Sequence, residues 1–251
     1  MNCDNYLKRI GFIGRPEADA ETLTELHRRH LFTIPFENLD IHAGREIKLD
    51  MDYIEEKVIS RGRCGFCYEL NGLFCELLTT LGFKVKMVSA NVFDEDENPG
   101  AEFDHMALIV NIGGDEYLTD VGFGDSFINP FVINPDVVIE DDSGIYQVVR
   151  HDNNYMKLLR SEDGVYFTPK YLFSMIPRKL SDYSDMCIYH QTNPKSHFTK
   201  NRLCSLANEG GRVTLVNDKL IITKQGKKDV IKISGEKDFN EYLFRHFNIK
   251  L

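Results

Sequence analysis

No apolar run in this 251-residue chain approaches the roughly 20 residues needed to cross a bilayer, which excludes a membrane-spanning helix. Positive charge is in short supply: 30 Lys and Arg against 39 Asp and Glu leave a net charge of −9. That balance argues against broad binding to nucleic acid or to anionic membranes, both of which reward a basic surface. It leaves room for a phosphorylated ligand, which needs only a local cluster of cations or backbone amides. The first residues, MNCDNYLKRIGF, lack the basic-then-apolar layout of a secretory signal, so a cytosolic protein is expected. A zinc site would want a second close Cys/His pair beside Cys64 and Cys67, and no such ligand knuckle is present. The other cysteines (Cys3, Cys75, Cys187 and Cys204) are irregularly spaced, and a reducing cytosol would keep them as thiols. Internal repeats and low-complexity linkers are absent too.

What remains is ordinary for a soluble globular protein, with 42% hydrophobic and 27% charged residues. The first part reads as helical. Asp19 precedes a segment with Leu23, Leu26, His27, His30 and Leu31 near helical spacing, ending before Pro35; Cys187 and His190, far downstream, flank an expected strand. Asp50 can cap a second helix through Ile54, Val58 and Ile59. Leu70, Leu73, Phe74, Leu77, Leu78 and Leu81 form a full apolar stripe that Gly82 ends, with Cys67 at its first turn. Beyond Gly82 the period changes to two. Strands are expected at Lys84–Phe93, His105–Ile112, Glu116–Phe123, Gly144–Arg150, Met156–Leu159 and Val165–Thr168. A turn at Asn193-Pro194, a hairpin at Asn217-Asp218 and a helix near Lys237–Phe247 close the chain. The expected fold class is α+β. A helical bundle over 1–83 is followed by an antiparallel β-barrel-like domain over 84–185 and an α/β lid over 186–251.

The stretch Arg63-Cys-Gly-Phe-Cys67-Tyr-Glu-Leu-Asn71 admits two thiol chemistries. Cys64 and Cys67 form a C-x-x-C suited to thiol–disulfide exchange. Alternatively, Cys67 is a lone nucleophile at a helix start, where a histidinium and the helix N-terminus favour the thiolate. The hairpin downstream bears on the choice. If Gly113-Gly114 form a two-residue loop, Ile112 faces Asp115, and His105 and Asp120 become diagonal neighbours on one face of the ribbon. A three-residue loop would put them on opposite faces. The parity therefore permits a cysteine-protease-like triad of Cys67, His105 and Asp120, with Asp120 orienting the imidazole that takes the thiol proton.

Several segments, in order along the chain, resemble the arylamine N-acetyltransferases. They are Ile34-Pro-Phe-Glu-Asn-Leu39, the Arg63–Asn71 stretch, His105-Met-Ala-Leu-Ile-Val110, Thr119-Asp-Val-Gly-Phe-Gly124 and Gln191-Thr-Asn-Pro-Lys-Ser-His-Phe198. The resemblance implies ping-pong transfer of acetyl from acetyl-coenzyme A, through acetyl-Cys67, to an aromatic amine, arylhydroxylamine or hydrazine. The acyl donor would be a diffusible cosubstrate, with no metal and no tightly bound cofactor, in a monomer or homodimer. It further implies that Phe36, Val92 and Phe123 line the amine pocket, and that Gly100, Tyr189 and Ser196 contact the coenzyme. Glu37 and Arg63 would pair near the site, and Lys195, Lys200 and Arg202 would form a basic patch. Two departures stand out: Cys64 replaces a usual glycine, and Asp125 stands where some relatives carry arginine, placing an acid at the pocket mouth. The short C-terminal end implies a more open coenzyme cleft.

Overall fold

Asp19 and Asp50 open their helices as their chemistry dictates, their carboxylates accepting the backbone N–H of Thr22 at 2.8 Å and of Tyr53 at 2.9 Å. The computed structural model describes every residue from Met1 to Leu251. Its first part holds α1 (Cys3–Arg9), α2 (Ala20–Thr33), the two-residue strand β1 (Phe36–Glu37), and the short helices α3 (Leu39–His42) and α4 (Met51–Glu55). A π-helical turn, Glu56–Ser60, prolongs α4, and α5 (Cys67–Thr80) follows. Gly82, at φ 91°, takes the left-handed conformation that stops α5. Every residue of α5 from Cys67 to Cys75 is buried. A helix buried all round must find partners for its polar side chains, and Tyr68, Glu69 and Asn71 are the ones that need them.

Eight antiparallel strands follow: β2 (Lys84–Val92), β3 (His105–Ile112), β4 (Asp115–Thr119), β5 (Phe131–Val132), β6 (Val138–Asp141), β7 (Gly144–Arg150), β8 (Tyr155–Ser161) and β9 (Thr168–Arg178). Their order, β5-β4-β3-β2-β9-β8-β7-β6, curls into a nearly closed barrel around an apolar interior that includes Val88, Phe127, Tyr146 and Phe173. Side-chain chemistry bridges the open seam. The Asp141 carboxylate at the end of β6 accepts the N–H groups of Ile128 and Asn129, both at 2.9 Å, just ahead of β5. A 3-10 turn (Leu180–Tyr183), α6 (Ser184–Thr192) and α7 (His197–Lys200) lead to a second sheet, β10 (Leu203–Asn208), β11 (Gly211–Val216), β12 (Lys219–Lys224) and β13 (Lys227–Lys232), and then to α8 (Gly235–Phe247). β1 completes that sheet by pairing with β10, and one core joins Leu26 and Leu70 to Cys204, Leu215 and Phe239.

The Gly113-Gly114 loop has two residues, Ile112 pairs with Asp115, and the register is the one that parity required. The ladder stops at Leu108 and Thr119, so β4 ends earlier than the expected Phe123. The chain peels away from Asp120 onward, where the backbone N–H groups of Asp120 and Val121 donate to His27 of α2 and Asn71 of α5 instead of to the β3 backbone. The expected strand at Val165–Thr168 is a loop over most of its length. The Asp163 carboxylate accepts the N–H groups of Val165 (2.9 Å) and Tyr166 (3.0 Å), a turn that delays the strand to Thr168. Cys187 and His190 lie on α6 and do not flank a strand. The short strands β5 and β6 carried too little alternation to be read from sequence.

Candidate active site

Gly122 is where hairpin and helix meet. A Cβ on it would lie 2.8 Å from Cys67 Cα and 2.6 Å from Asn71 Nδ2, so only glycine lets the segment after β4 rest on the first turn of α5. Asn71, one turn beyond Cys67, fastens the two together. Its Nδ2 donates to Met106 O at 2.6 Å and to Asp120 Oδ1 at 2.9 Å, and its Oδ1 accepts Val121 N–H at 2.9 Å.

Asp120 is fully buried and saturated with donors. Its Oδ2 accepts His105 Nε2 at 2.8 Å and the Tyr171 hydroxyl at 3.1 Å; its Oδ1 also accepts Gly122 N–H at 2.9 Å. Burial alone would push this carboxyl up, but His105 and these hydrogen bonds hold it below the usual carboxylate range. Because an ionised carboxylate only accepts, Nε2 of His105 carries a proton, which leaves Nδ1 as the basic nitrogen of the neutral ring. Phe123 and Tyr171 clamp that ring, with centroids at 5.2 and 5.3 Å. On the far side of Asp120, its backbone N–H donates to Nε2 of His27 at 3.2 Å. His27 in turn donates from Nδ1 to Ile128 O at 2.8 Å and stacks on Phe127.

Cys67 sits at the first helical position of α5 and is 2% exposed. Burial, and then the carboxylates of Asp104 and Asp120, push its thiol up, while the Tyr68 N–H at the helix start pulls it down. Burial and the two carboxylates oppose loss of the proton to solvent, contrary to the simple expectation of a thiolate at a helix N-terminus. Handing the proton to an imidazole inside the same buried region would be a different step, because it leaves the net charge there unchanged.

Cys64 has other company. It is buried among Glu37, Arg9, Arg63 and Lys57, its thiol is pushed up first by burial, and it forms no disulfide. Beside it runs a buried ion network. Lys57 on the π-helical turn bonds Asp40 at 2.7 Å and Glu69 at 2.8 Å, and Arg63 bonds Glu37 and Asp40, each at 2.9 Å. Burial raises Glu69 to about 7 against the pull of Lys57. Its second oxygen accepts Phe66 N–H at 3.2 Å, so the network ends on the cap of the helix that begins at Cys67. The expected Glu37–Arg63 pair is thus one link in a chain of five charged groups.

The remaining expected residues divide. Phe123 is half-buried against His105 and Tyr171, and Phe36 faces Gly124 and the Phe198 ring, so both border the hairpin end. Val92 lies at the end of β2, paired with Tyr171 of β9. Gly100 spends its N–H on Val92 O at 2.7 Å, so that amide is not free to meet a phosphate. Ser196 is buried; its hydroxyl accepts Phe198 N–H at 3.2 Å at the start of α7 and meets His190 Nδ1 at 3.2 Å. Tyr189 is half-exposed on α6. Arg202 leaves the expected basic patch, since it pairs with Glu236 at 3.0 Å and stacks on Phe239. Asp125 is no isolated acid: Arg160 bonds it at 2.8 Å and Arg212 lies 3.8 Å away. Sequence reasoning missed Tyr171 and the role of His27, which no local pattern marks. Asn71 and Glu69 stood inside the quoted signature, but nothing in their spacing revealed what they hold.

A family model described as N-acetyltransferase matches residues 19–251. The pineal gland isozyme of arylamine N-acetyltransferase from Gallus gallus is 31% identical over 278 residues, covering 100% of this chain and 95% of its own. The arylamine N-acetyltransferase of Escherichia coli strain K12 is 32% identical, covering 85% of this chain and 76% of its own. Among solved structures, the enzyme of Mycobacterium smegmatis superposes with a TM-score of 0.91 at 30% identity, covering 100% of this chain and 93% of that one. The Mycobacterium marinum arylamine N-acetyltransferase in complex with CoA superposes with a TM-score of 0.91 at 26% identity, covering 99% and 93%.

Proposed function

The chain belongs to the arylamine N-acetyltransferase family, and from that premise we propose that it carries acetyl from acetyl-coenzyme A to an aromatic amine, arylhydroxylamine or hydrazine through a thioester on Cys67. The observation that carries this reading is the His105–Asp120 pair, 2.8 Å long and buried, tied through Asn71 to the helix turn that bears Cys67. In the first half-reaction, Cys67 Sγ attacks the thioester carbonyl while its proton passes to Nδ1 of His105. Asp120 stabilises the imidazolium across Nε2. Coenzyme A leaves as the thiolate and takes that proton, and acetyl-Cys67 remains. In the second, the amine attacks the acetyl carbonyl, gives up a proton to His105, and Cys67 departs to regenerate the resting site. Splitting the transfer into two thioester-level steps is what a covalent nucleophile contributes. Lone His105, without its carboxylate, would hold the wrong tautomer part of the time.

Phe36, Val92 and Phe123 offer an apolar border for a planar acceptor. For the coenzyme, exposed Lys195 and Lys200 beside half-exposed Tyr189 support the α6–α7 segment as the phosphate-facing side. The occupied N–H of Gly100 and the buried hydroxyl of Ser196 weaken the case for direct contacts from those two. A helical part over 1–83, a barrel over 84–185 and a C-terminal part over 186–251 would then divide the labour among nucleophile, base and coenzyme. Incubation with acetyl-coenzyme A in the absence of amine tests the proposal. One acetyl group should appear on the peptide bearing Cys67 and vanish on adding an aromatic amine; no adduct there would sink the first half-reaction.

A further inference from the structure

A second histidine–carboxylate pair packs against Tyr68, the residue after Cys67, and the mechanism above does not use it. His190 on α6 is 4% exposed. Its Nε2 is 3.3 Å from Asp104 Oδ1 and 3.2 Å from Asp104 O, and its Nδ1 is 3.2 Å from Ser196 Oγ. Asp104 immediately precedes His105. The Tyr68 hydroxyl, on the residue after Cys67, donates to Phe103 O at 2.6 Å and reaches Asp104 O at 3.3 Å. The Tyr68 ring stacks against His190 with centroids 6.1 Å apart, and Phe198 closes on the imidazole edge at 5.0 Å. The pair therefore fastens α6 and α7 to both the cysteine helix and the histidine strand.

Asp104 is also the foremost charge acting on the Cys67 thiol, ahead of Asp120. A carboxylate there opposes a second negative charge on sulfur unless something cancels it, and His190, 3.3 Å from Asp104 Oδ1, is the side chain placed to do so when it carries a second proton. We propose that Asp104 and His190 form a positioning pair that sets the reactivity of Cys67, Asp104 by its charge and His190 as the counter-charge. The inference rests on Cys67 as the reactive thiol. The other titratable groups around His190 are Tyr68 of α5, its neighbour Tyr189, and His197 of α7, which itself feels Asp104 and Lys200. None of these supplies an anion, so Asp104 is the carboxylate that faces the imidazole. A neutral His190 leaves the Asp104 charge in force against the thiolate, and a protonated one cancels it.

The test reads the thiol itself and does not depend on acetyl transfer. Iodoacetamide alkylation of Cys67, followed on its own peptide by mass spectrometry from about pH 5 to about pH 9, gives the profile of the reactive form. Asp104→Asn should move that profile down by about one pH unit, roughly tenfold in thiolate at a fixed pH below the midpoint. Asp104→Ser removes the same charge if the amide variant folds poorly. His190→Gln should move the profile up by a similar amount, yet shift nothing when added to Asp104→Asn, because it acts only through Asp104. Single variants that change stability or kcat while leaving the alkylation profile in place would overturn the proposal. So would an undiminished His190→Gln shift in the Asp104→Asn background, or a Cys67 that stays unalkylated at every pH.

Discussion

At the residue scale, the two cysteines of the Cys-Gly-Phe-Cys stretch part company because their surroundings differ. Cys67 abuts Gly122 and feels the charges of Asp104 and Asp120, while Cys64 is buried where Glu37, Arg9 and Arg63 act on it. Cys67→Ala should abolish acetyl transfer and the acetyl adduct, whereas Cys64→Ala should leave both; equal loss in the two variants would favour disulfide chemistry. Four hydrogen bonds converge on the Asp120 carboxylate, and its replacement separates charge from shape. Asp120→Asn keeps the size but removes the charge that stabilises the imidazolium, so kcat should fall by about a thousandfold or more. Cys67 alkylation in the same variant should lose its activity below neutral pH and follow the alkaline rise of an ordinary thiol. A variant that still alkylates rapidly at about pH 6 would mean that Cys67 draws its reactivity from elsewhere.

At the element scale, the site depends on how closely one turn of α5 meets the end of the β3–β4 hairpin. Gly122→Ala places a methyl against Cys67 Cα and Asn71 Nδ2, at distances that backbone and a held side chain cannot yield. That overpacking should cost about 1–3 kcal/mol in urea unfolding and, on the proposed mechanism, depress kcat more than it raises KM, since it moves the turn bearing Cys67 away from the hairpin bearing His105. The π-helical turn at Glu56–Ser60 has a comparable duty. It carries Lys57 inward to Asp40 and Glu69, and Glu69 caps the helix of Cys67. Lys57→Met removes one side of a buried pairing and leaves carboxylates uncompensated. Denaturation should register a loss of about 3–5 kcal/mol, with an effect near zero showing that the network is wetter than its burial implies.

At the scale of the whole molecule, acid lability follows from two histidines buried between α2 and its neighbours. Burial holds His27 below the usual histidine value and His30 well below it. Above the unfolded-state value of about 6.5 neither state binds these protons, and stability is level. As pH falls below that value the unfolded chain gains protons that the fold refuses, so these two groups remove up to about 2.7 kcal/mol per pH unit, which Glu69, raised to about 7 in the fold and so protonated there first, partly offsets. Asp120, held down in the fold, adds a further loss only at lower pH, as it too must be protonated. Melting curves between about pH 7.5 and about pH 5.5 should show the net effect, and His30→Gln, which can still accept the Tyr6 hydroxyl, should flatten the slope by up to about 1.4 kcal/mol per pH unit. An unchanged slope would place the acid sensitivity in other groups.

Much of this molecule was legible before any coordinates, because local rules govern it. Apolar stripes at helical spacing fixed α2 and α5, Asp19 and Asp50 announced their helix starts, and the two-glycine loop set the register that puts His105 and Asp120 on one face. The ordered motifs then carried the family. Other parts were silent for a physical reason: the Asn71 clasp spans 49 residues to Asp120, Tyr171 reaches it across 51, and His27 holds its backbone across 93. Such contacts depend on how whole elements pack, and no periodicity or spacing encodes them. Even where the residue types were readable, their electrical character was not. The sequence by itself determined which thiol, imidazole and carboxylate are present and in what register. Only the tertiary structure decided how deeply each is buried, which charges face it, and therefore where its proton rests.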